Sequence, residues 1–257
     1  MLHGGPVRRP RPAHQPLAVY LPACIGTIFG PAPGPGVATA FLELCERAGV
    51  EVRVPDGIAG LCCGTPWKSK GMSAGYAAMR ERVIATLTPL LTRQGSPPPL
   101  VVDAASCTEG FLTLLAGSPA TAAWRVVDAV QFTDEVLLPL LPEAPRLPSL
   151  ALHPTCSSVR LGLDPALRRV ASAAAETVSV PEDWGCCGFA GDRGLLHPEL
   201  TASATAPEAA EVRGLKVSAY ASVNRTCELG LTRATGQPYR HVLEVLADAY
   251  AGRTPLR

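Results

Sequence analysis

The chain has 257 residues, 47% of them apolar, and a formal net charge of +1. That length and apolar content allow one large or two small folded domains and argue against general disorder. With no basic block in the main body and no run of roughly 18 uninterrupted apolar residues, neither a nucleic-acid surface nor a membrane-spanning helix is expected.

Residues 1–16, MLHGGPVRRPRPAHQP, are Pro-rich, Gly-rich and basic, and are expected to form a disordered tail. Arg8-Arg9 invites a twin-arginine reading, but no apolar stretch follows. From Leu17, LAVYLPACIGTIFG reads as a short strand delivering Cys24 to a turn. GPAPGPG at Gly30–Gly36 is interrupted by proline and cannot open a helix around a pyrophosphate. Val37, Phe41, Leu44, Cys45 and Ala48 recur at helical spacing up to Gly49. Cys45 falls on the apolar face of that helix and is expected in the core as a small hydrophobe. VRVPDGIAGLCCGTPWKSKG then gives a strand, a proline and the doublet Cys62-Cys63 followed by Gly64. Ser73 is expected to cap a helix with Tyr76, Met79, Val83, Leu87 and Leu90 on its apolar face and a kink at Pro89. LVVDAASCTEGF reads as a strand delivering Cys107 to a polar turn. LPEAPRLPS, at 141–149, marks the seam between a first half, 17–145, and a second, 146–257.

The second half repeats the first. LALHPTCSSVRLG echoes the opening strand and brings Cys156; VSVPEDWGCCGFAGDRG echoes the doublet with Cys186, Cys187 and Gly188; VSAYASVNRTCELGL echoes the third element with Cys227. Pro165 is expected to start an Ala-rich helix running to about Thr177, and a closing helix is expected from Tyr239 to Tyr250. Short strands alternating with helices predict an α/β fold of two pseudo-symmetric βαβ-type half-repeats, each with a small parallel sheet. Ligands of such sheets bind at the carboxyl ends of the strands, where every one of these cysteine elements falls.

Nine cysteines are present. Neighbouring Cα atoms lie about 3.8 Å apart, below the usual disulfide range of roughly 4.4–6.8 Å, so neither doublet suits an internal disulfide. With Cys45 in the core, two sets of four remain: Cys24, Cys62, Cys63 and Cys107, then Cys156, Cys186, Cys187 and Cys227. Four thiolates suit a cuboidal iron–sulfur cluster and structural zinc equally, so the metal stays open: a 4Fe-4S cluster in one or both halves, or zinc in one. The compact C-x₂-C-x₂-C run of ferredoxins is absent. Gly64 and Gly188 let the backbone turn tightly and aim N–H groups at sulfur. Lys68, Lys70, Asp192, Arg193, Arg225 and Glu228 flank the cysteines and are expected near the metal or at a docking surface, as is His153, more readily a hydrogen-bonding residue than a ligand. Trp67 and Trp184 abut the doublets and are expected to shield them. No Ser–His–Asp arrangement, phosphate loop or dinucleotide fingerprint is present, so the isolated chain is not expected to carry out hydride transfer.

One cysteine, then Cys-Cys-Gly, then a further cysteine, twice per chain, resembles the CCG cysteine-rich domain family, which includes the cysteine-rich subunit of heterodisulfide reductase and the iron–sulfur subunit of glycolate oxidase. Ala104 and Asn224 stand where the family's C-x-x-C would put its first cysteine, so a five-thiolate set is not expected. LPACIGTIFG, GLCCGTPWKSKG, HPTCSSVRLGL, GCCGFAGDRG and NRTCELGL are most similar to the C-terminal iron–sulfur region of bacterial FAD-linked D-lactate dehydrogenases. That resemblance implies electron transfer from a reduced flavin, held on a FAD-binding dehydrogenase subunit or domain, to a cytochrome or quinone. It implies a cytoplasmic protein brought to the inner face of the membrane by its partners, either a stand-alone subunit or part of a longer polypeptide. Two other readings are a zinc-holding interaction module and heterodisulfide-type thiol–disulfide chemistry.

Overall fold

Short runs of apolar residues without polar alternation make strands that are covered on both faces, as parallel sheets require. The computed structural model describes residues 4–30, 34–92 and 97–253. In the first half, β1 (Ala18–Leu21), α1 (Ile25–Ile28), α2 (Val37–Arg47), β2 (Val52–Arg53) and α3 (Thr65–Ser69) are followed by α4 (Ser73–Leu91), β3 (Leu100–Val102), α5 (Ala105–Leu115), β4 (Val126–Asp128) and α6 (Ala129–Phe132). In the second come β5 (Leu147–Leu152), α7 (Cys156–Arg160), α8 (Asp164–Ala174), β6 (Ala175–Ser179) and α9 (Arg193–Leu196). They are followed by α10 (Pro198–Gly214), β7 (Ala219–Ser222), α11 (Arg225–Thr235), β8 (Tyr239–His241) and α12 (Val242–Ala251).

The strands form two four-stranded sheets, in the orders β2-β1-β3-β4 and β6-β5-β7-β8. Every pairing is parallel. The fold is therefore α/β, with the same four-strand unit built twice. One continuous apolar cluster runs through both halves, from Leu44 and Leu87 to Val170 and Leu246. Helix α12 carries buried residues over most of its circumference because it packs on α2 of the first half as well as on α8.

Several local expectations change. The helix begun near Pro165 ends at Ala174, because Ala175–Ser179 pair with β5 instead; β-branched Thr177 and Val178 favour that strand. The closing helix starts at Val242, since Tyr239–His241 pair with β7 as the edge strand β8. Its first-half counterpart, β4, is likewise an addition to the expected elements. Helix α4 begins at Ser73 with Met72 in the cap position, so the serine makes no capping hydrogen bond. β5 starts at Leu147, inside the expected seam. Of the Gly30–Gly36 loop, residues 31–33 lie outside the described residues.

Residues 4–16, expected as a disordered tail, run against the first half. Arg11 pairs with Val54 in an antiparallel bridge. Arg8 donates to the carbonyls of Pro22, Ala59 and Leu61 at 3.0–3.1 Å. A guanidinium carries five donors, so one arginine can hold several main-chain carbonyls at once.

Candidate metal centre

Each single cysteine follows a strand and enters a helix. Cys24 is the N-cap of α1, Cys107 lies in the first turn of α5, Cys156 opens α7 and Cys227 lies in the first turn of α11. The polar turns expected at Cys107 and Cys227 are thus helical first turns, where unpaired N–H groups favour negative charge. The doublets come from loops. Gly64 and Gly188 both adopt positive φ, +79° and +65°, and a Cβ at Gly64 would fall 2.7 Å from the ring of Tyr76. The Gly188 N–H donates to Cys186 Sγ at 3.4 Å.

The structure brings the first four thiols into a chain of sulfur contacts. Cys24 Sγ lies 3.8 Å from Cys62 Sγ. Cys62 also contacts Cys63, which in turn accepts from Cys107. In the second half, Cys187 and Cys227 stand 3.0 Å apart, and Cys156 contacts Cys186. All nine cysteines are free; Cys186 is exposed, while Cys63, Cys107, Cys187 and Cys227 are buried. Cys45 sits in the core, and burial pushes its thiol up to about 12.

Within each set the protons are unevenly held. Donation from Cys227, then from the Phe189 N–H, lowers Cys187 to about 7, whereas Cys227 is pushed up by the same contact and by burial. Donation from Cys107 lowers Cys63, and Cys107 rises in return. Cys24 is lowered by Cys62, which rises. Cys156 is raised to about 11, by burial first and then by its contact with Cys186. The thiolate is the form that ligates metal, so a cation bound among gathered thiols displaces their protons and offsets the repulsion of their charges. Their chemistry therefore fits a thiolate-bound metal or cluster. As they stand they pack on one another, and among the described residues no three His, Cys, Asp or Glu side chains surround a common ion position.

The flanking residues divide. Lys70 Nζ meets Asp192 Oδ2 at 2.8 Å and joins the two doublet loops. Lys68 and Arg193 remain at the surface. Arg225 donates to the Gly30 carbonyl at 2.8 Å and to Glu228 at 3.1 Å, tying α11 to the first half. Glu228, raised to about 7 by burial, is held by that arginine. His153 is buried with Nδ1 2.8 Å from Glu208 Oε1; its Nε2 has no partner among the described residues, and Trp184 stands edge-on at 6.3 Å. Trp67 is half-buried against the first-half core.

Three site-building residues carry little sequence signal. Asp103, at the tip of β3, accepts from Tyr20 Oη at 2.5 Å and from the Ala23 N–H at 2.7 Å, fixing the turn that presents Cys24. Gly110 and Gly230 stand three residues after Cys107 and Cys227. A Cβ at Gly110 would meet Cys63 Cβ at 2.9 Å and Cys63 Sγ at 3.0 Å. The repeated C-x-x-G in CTEG and CELG is the available clue. A cavity of about 400 Å³ opens beside the first site, with Phe29, Leu42, Asp103 and Arg225 in its wall and no cysteine lining it.

Two parallel sheets of one topology thus each carry four free thiols, two in helical turns after strand ends and two in a doublet loop. Residues 150–232 match the CCG cysteine-rich domain family. The matched CCG segment contains Cys156, Cys186, Cys187 and Cys227. The first half repeats its strand order and cysteine placement outside the match. No curated protein matches the chain. Among the described residues, no helix is long and apolar enough to cross a membrane.

Proposed function

We propose that the chain is an electron-transfer component of a flavin-linked D-2-hydroxyacid dehydrogenase of the D-lactate type. It carries an iron–sulfur cluster in one or both halves, ligated by Cys24, Cys62, Cys63 and Cys107 and by Cys156, Cys186, Cys187 and Cys227. Electrons come from a flavin reduced on a partner subunit or domain and leave to a cytochrome or quinone. The observation that carries this reading is the duplicated set of four free thiols, two after strand ends and two in a doublet loop of each parallel sheet, in a chain whose second half contains the match to the CCG family. Four thiolates hold such clusters, whose potentials respond to nearby charge and hydrogen bonds. In this reading Arg225, Lys70 and His153 would exert such effects, and of the three it is His153 that bears on a thiol, Cys187.

Anaerobic purification with iron, sulfide and zinc analysis tests the metal. A brown protein with matched iron and sulfide is expected; a colourless chain holding only zinc refutes the cluster. Cys187→Ser should then slow acceptor reduction while the partner's flavin is still reduced by D-lactate, because serine is a hard, poor ligand for iron.

One distance is compatible with zinc as a second reading for the first half. Zn–S bonds of about 2.3 Å at tetrahedral angles put sulfurs roughly 3.8 Å apart, which is the separation of Cys24 and Cys62. Zinc there would act as a structural clamp, leaving electron transfer to the second half.

A further inference from the structure

Helix α5, which presents Cys107, has no cap of its own. Ala104 holds the N-cap position in extended backbone, φ −147° and ψ 120°, but offers no side-chain oxygen. The first amides of a helix have no partner inside it, and an N-cap oxygen normally takes the one at N2 or N3. Here the N2 amide, Ser106 N–H, donates to Asn224 Oδ1 at 3.1 Å, and Ser106 Oγ donates to the same oxygen at 3.1 Å. The N1 amide of Ala105 reaches the Val223 carbonyl at 3.3 Å. Both acceptors come from the other half, at the junction leading to Cys227.

Asn224 is buried, and its amide nitrogen donates to Thr155 Oγ1 at 3.5 Å. Thr155 caps α7, the helix opened by Cys156. One side chain therefore contacts the neighbours of Cys107 and Cys156 and itself stands three residues before Cys227. The relation is one-way, because Ala104, the position equivalent to Asn224, has only a methyl group.

We propose that Asn224 is a positioning residue of the first-half metal centre, supplied by the second half: it caps the helix that presents Cys107. The inference rests on the reading that the first quartet binds metal. Without the cap, the Ser106 amide and hydroxyl lose their shared acceptor and the first turn of α5 frays, so ordering Cys107 has to be drawn from the free energy of metal binding.

The test uses the full chain, Co²⁺ alone as the probe, and the thiolate-to-cobalt absorption as the signal under anaerobic conditions. A Cys156→Ser/Cys186→Ser background confines tetrathiolate binding to the first half. There, Asn224→Ala should weaken Co²⁺ binding about fivefold, the equivalent of a ~1 kcal/mol cap. Asn224→Asp, which keeps the acceptor oxygen, should bind nearly as the parent does. Adding Ala104→Ser to Asn224→Ala should restore affinity by giving α5 its own cap, a rescue that general damage to the second half would not allow. Unchanged affinity in Asn224→Ala, or a loss that Ala104→Ser does not recover, overturns the inference. Should Asn224→Ala not fold, fast hydrogen exchange at the Ser106 amide of the unaltered chain overturns it, and slow exchange with weakened Co²⁺ binding in Ser106→Ala supports it. A parent chain with no cobalt–thiolate band overturns the metal-centre reading itself, whereas a full band indifferent to Asn224 removes only this inference.

Discussion

Gly110→Ala perturbs the first site without touching a ligand. In a helix, glycine to alanine ordinarily stabilises by roughly 0.5–1 kcal/mol. At Gly110 the added methyl would lie 2.5 Å from Thr65 Oγ1, 2.9 Å from Cys63 Cβ and 3.0 Å from Cys63 Sγ. Those contacts are far inside van der Waals distance, and the obstructing atoms belong to two short side chains, buried Cys63 and Thr65 at the start of α3, rather than to the end of a long one. Overpacking of this kind costs about 1–3 kcal/mol, so the net effect lies between about zero and 2.5 kcal/mol of destabilisation. At about 2–4 °C per kcal/mol for a chain of this size, the melting temperature should fall by a few degrees. The larger consequence is chemical: relief of the clash moves Cys63, and first-half metal should be lost in greater proportion than stability. Gly230→Ala should be milder, because its Cβ meets the Thr201 methyl at 3.0 Å and the ring of Phe189 at 3.5 Å. Gly214→Ala, with nothing within 4 Å, is the control. Thermal melts beside metal analysis of the three variants decide the matter. Full metal content and a raised melting temperature in Gly110→Ala would show that the loop carrying Cys63 yields freely and that the glycine does not shape the site.

Cys45→Ala should leave metal content unchanged and cost at most about 2 kcal/mol, as a small core truncation does; metal loss would return Cys45 to the ligand set. Burial pushes Asp128 up to about 6 against hydrogen bonds from Thr108 and the Val130 N–H. A raised carboxyl contributes stability that is full below its unfolded value of about 3.9 and lost as pH rises through about 6, so Asp128→Asn should flatten that slope in urea melts. An unaltered slope would show that Asp128 is not its source. Lys70→Ala breaks an exposed ion pair between the doublet loops and should leave the melting temperature unchanged at physiological salt, while a clear drop would mean the loops depend on it.

Much of the architecture is legible because its signals are local. The duplication, the strand leading to each cysteine, the helix over Val37–Arg47 and the core place of Cys45 follow from periodicity and repeated words in the chain. The edge strands β4 and β8 are not legible: each is only three residues long, and what makes Tyr239–His241 a strand rather than a helical turn is its pairing with Tyr220–Ser222. The same competition ends α8 early, where Ala175–Ser179 find β5 as a partner. The docking of the tail is hidden because Arg8 is held by carbonyls that only folding gathers. For the site, sequence names the thiols, since cysteine carries its chemistry in one residue and doublets are rare. It cannot name Asp103, Gly110 or the contact of Asn224 with Ser106, because an acceptor, a missing methyl and a borrowed cap acquire meaning only from what stands opposite. Sequence thus determined which atoms could bind metal, and tertiary structure decided which of them meet: proximity between Ser106 and Asn224, 118 positions apart, is set by the packing of two sheets and not by spacing along the chain.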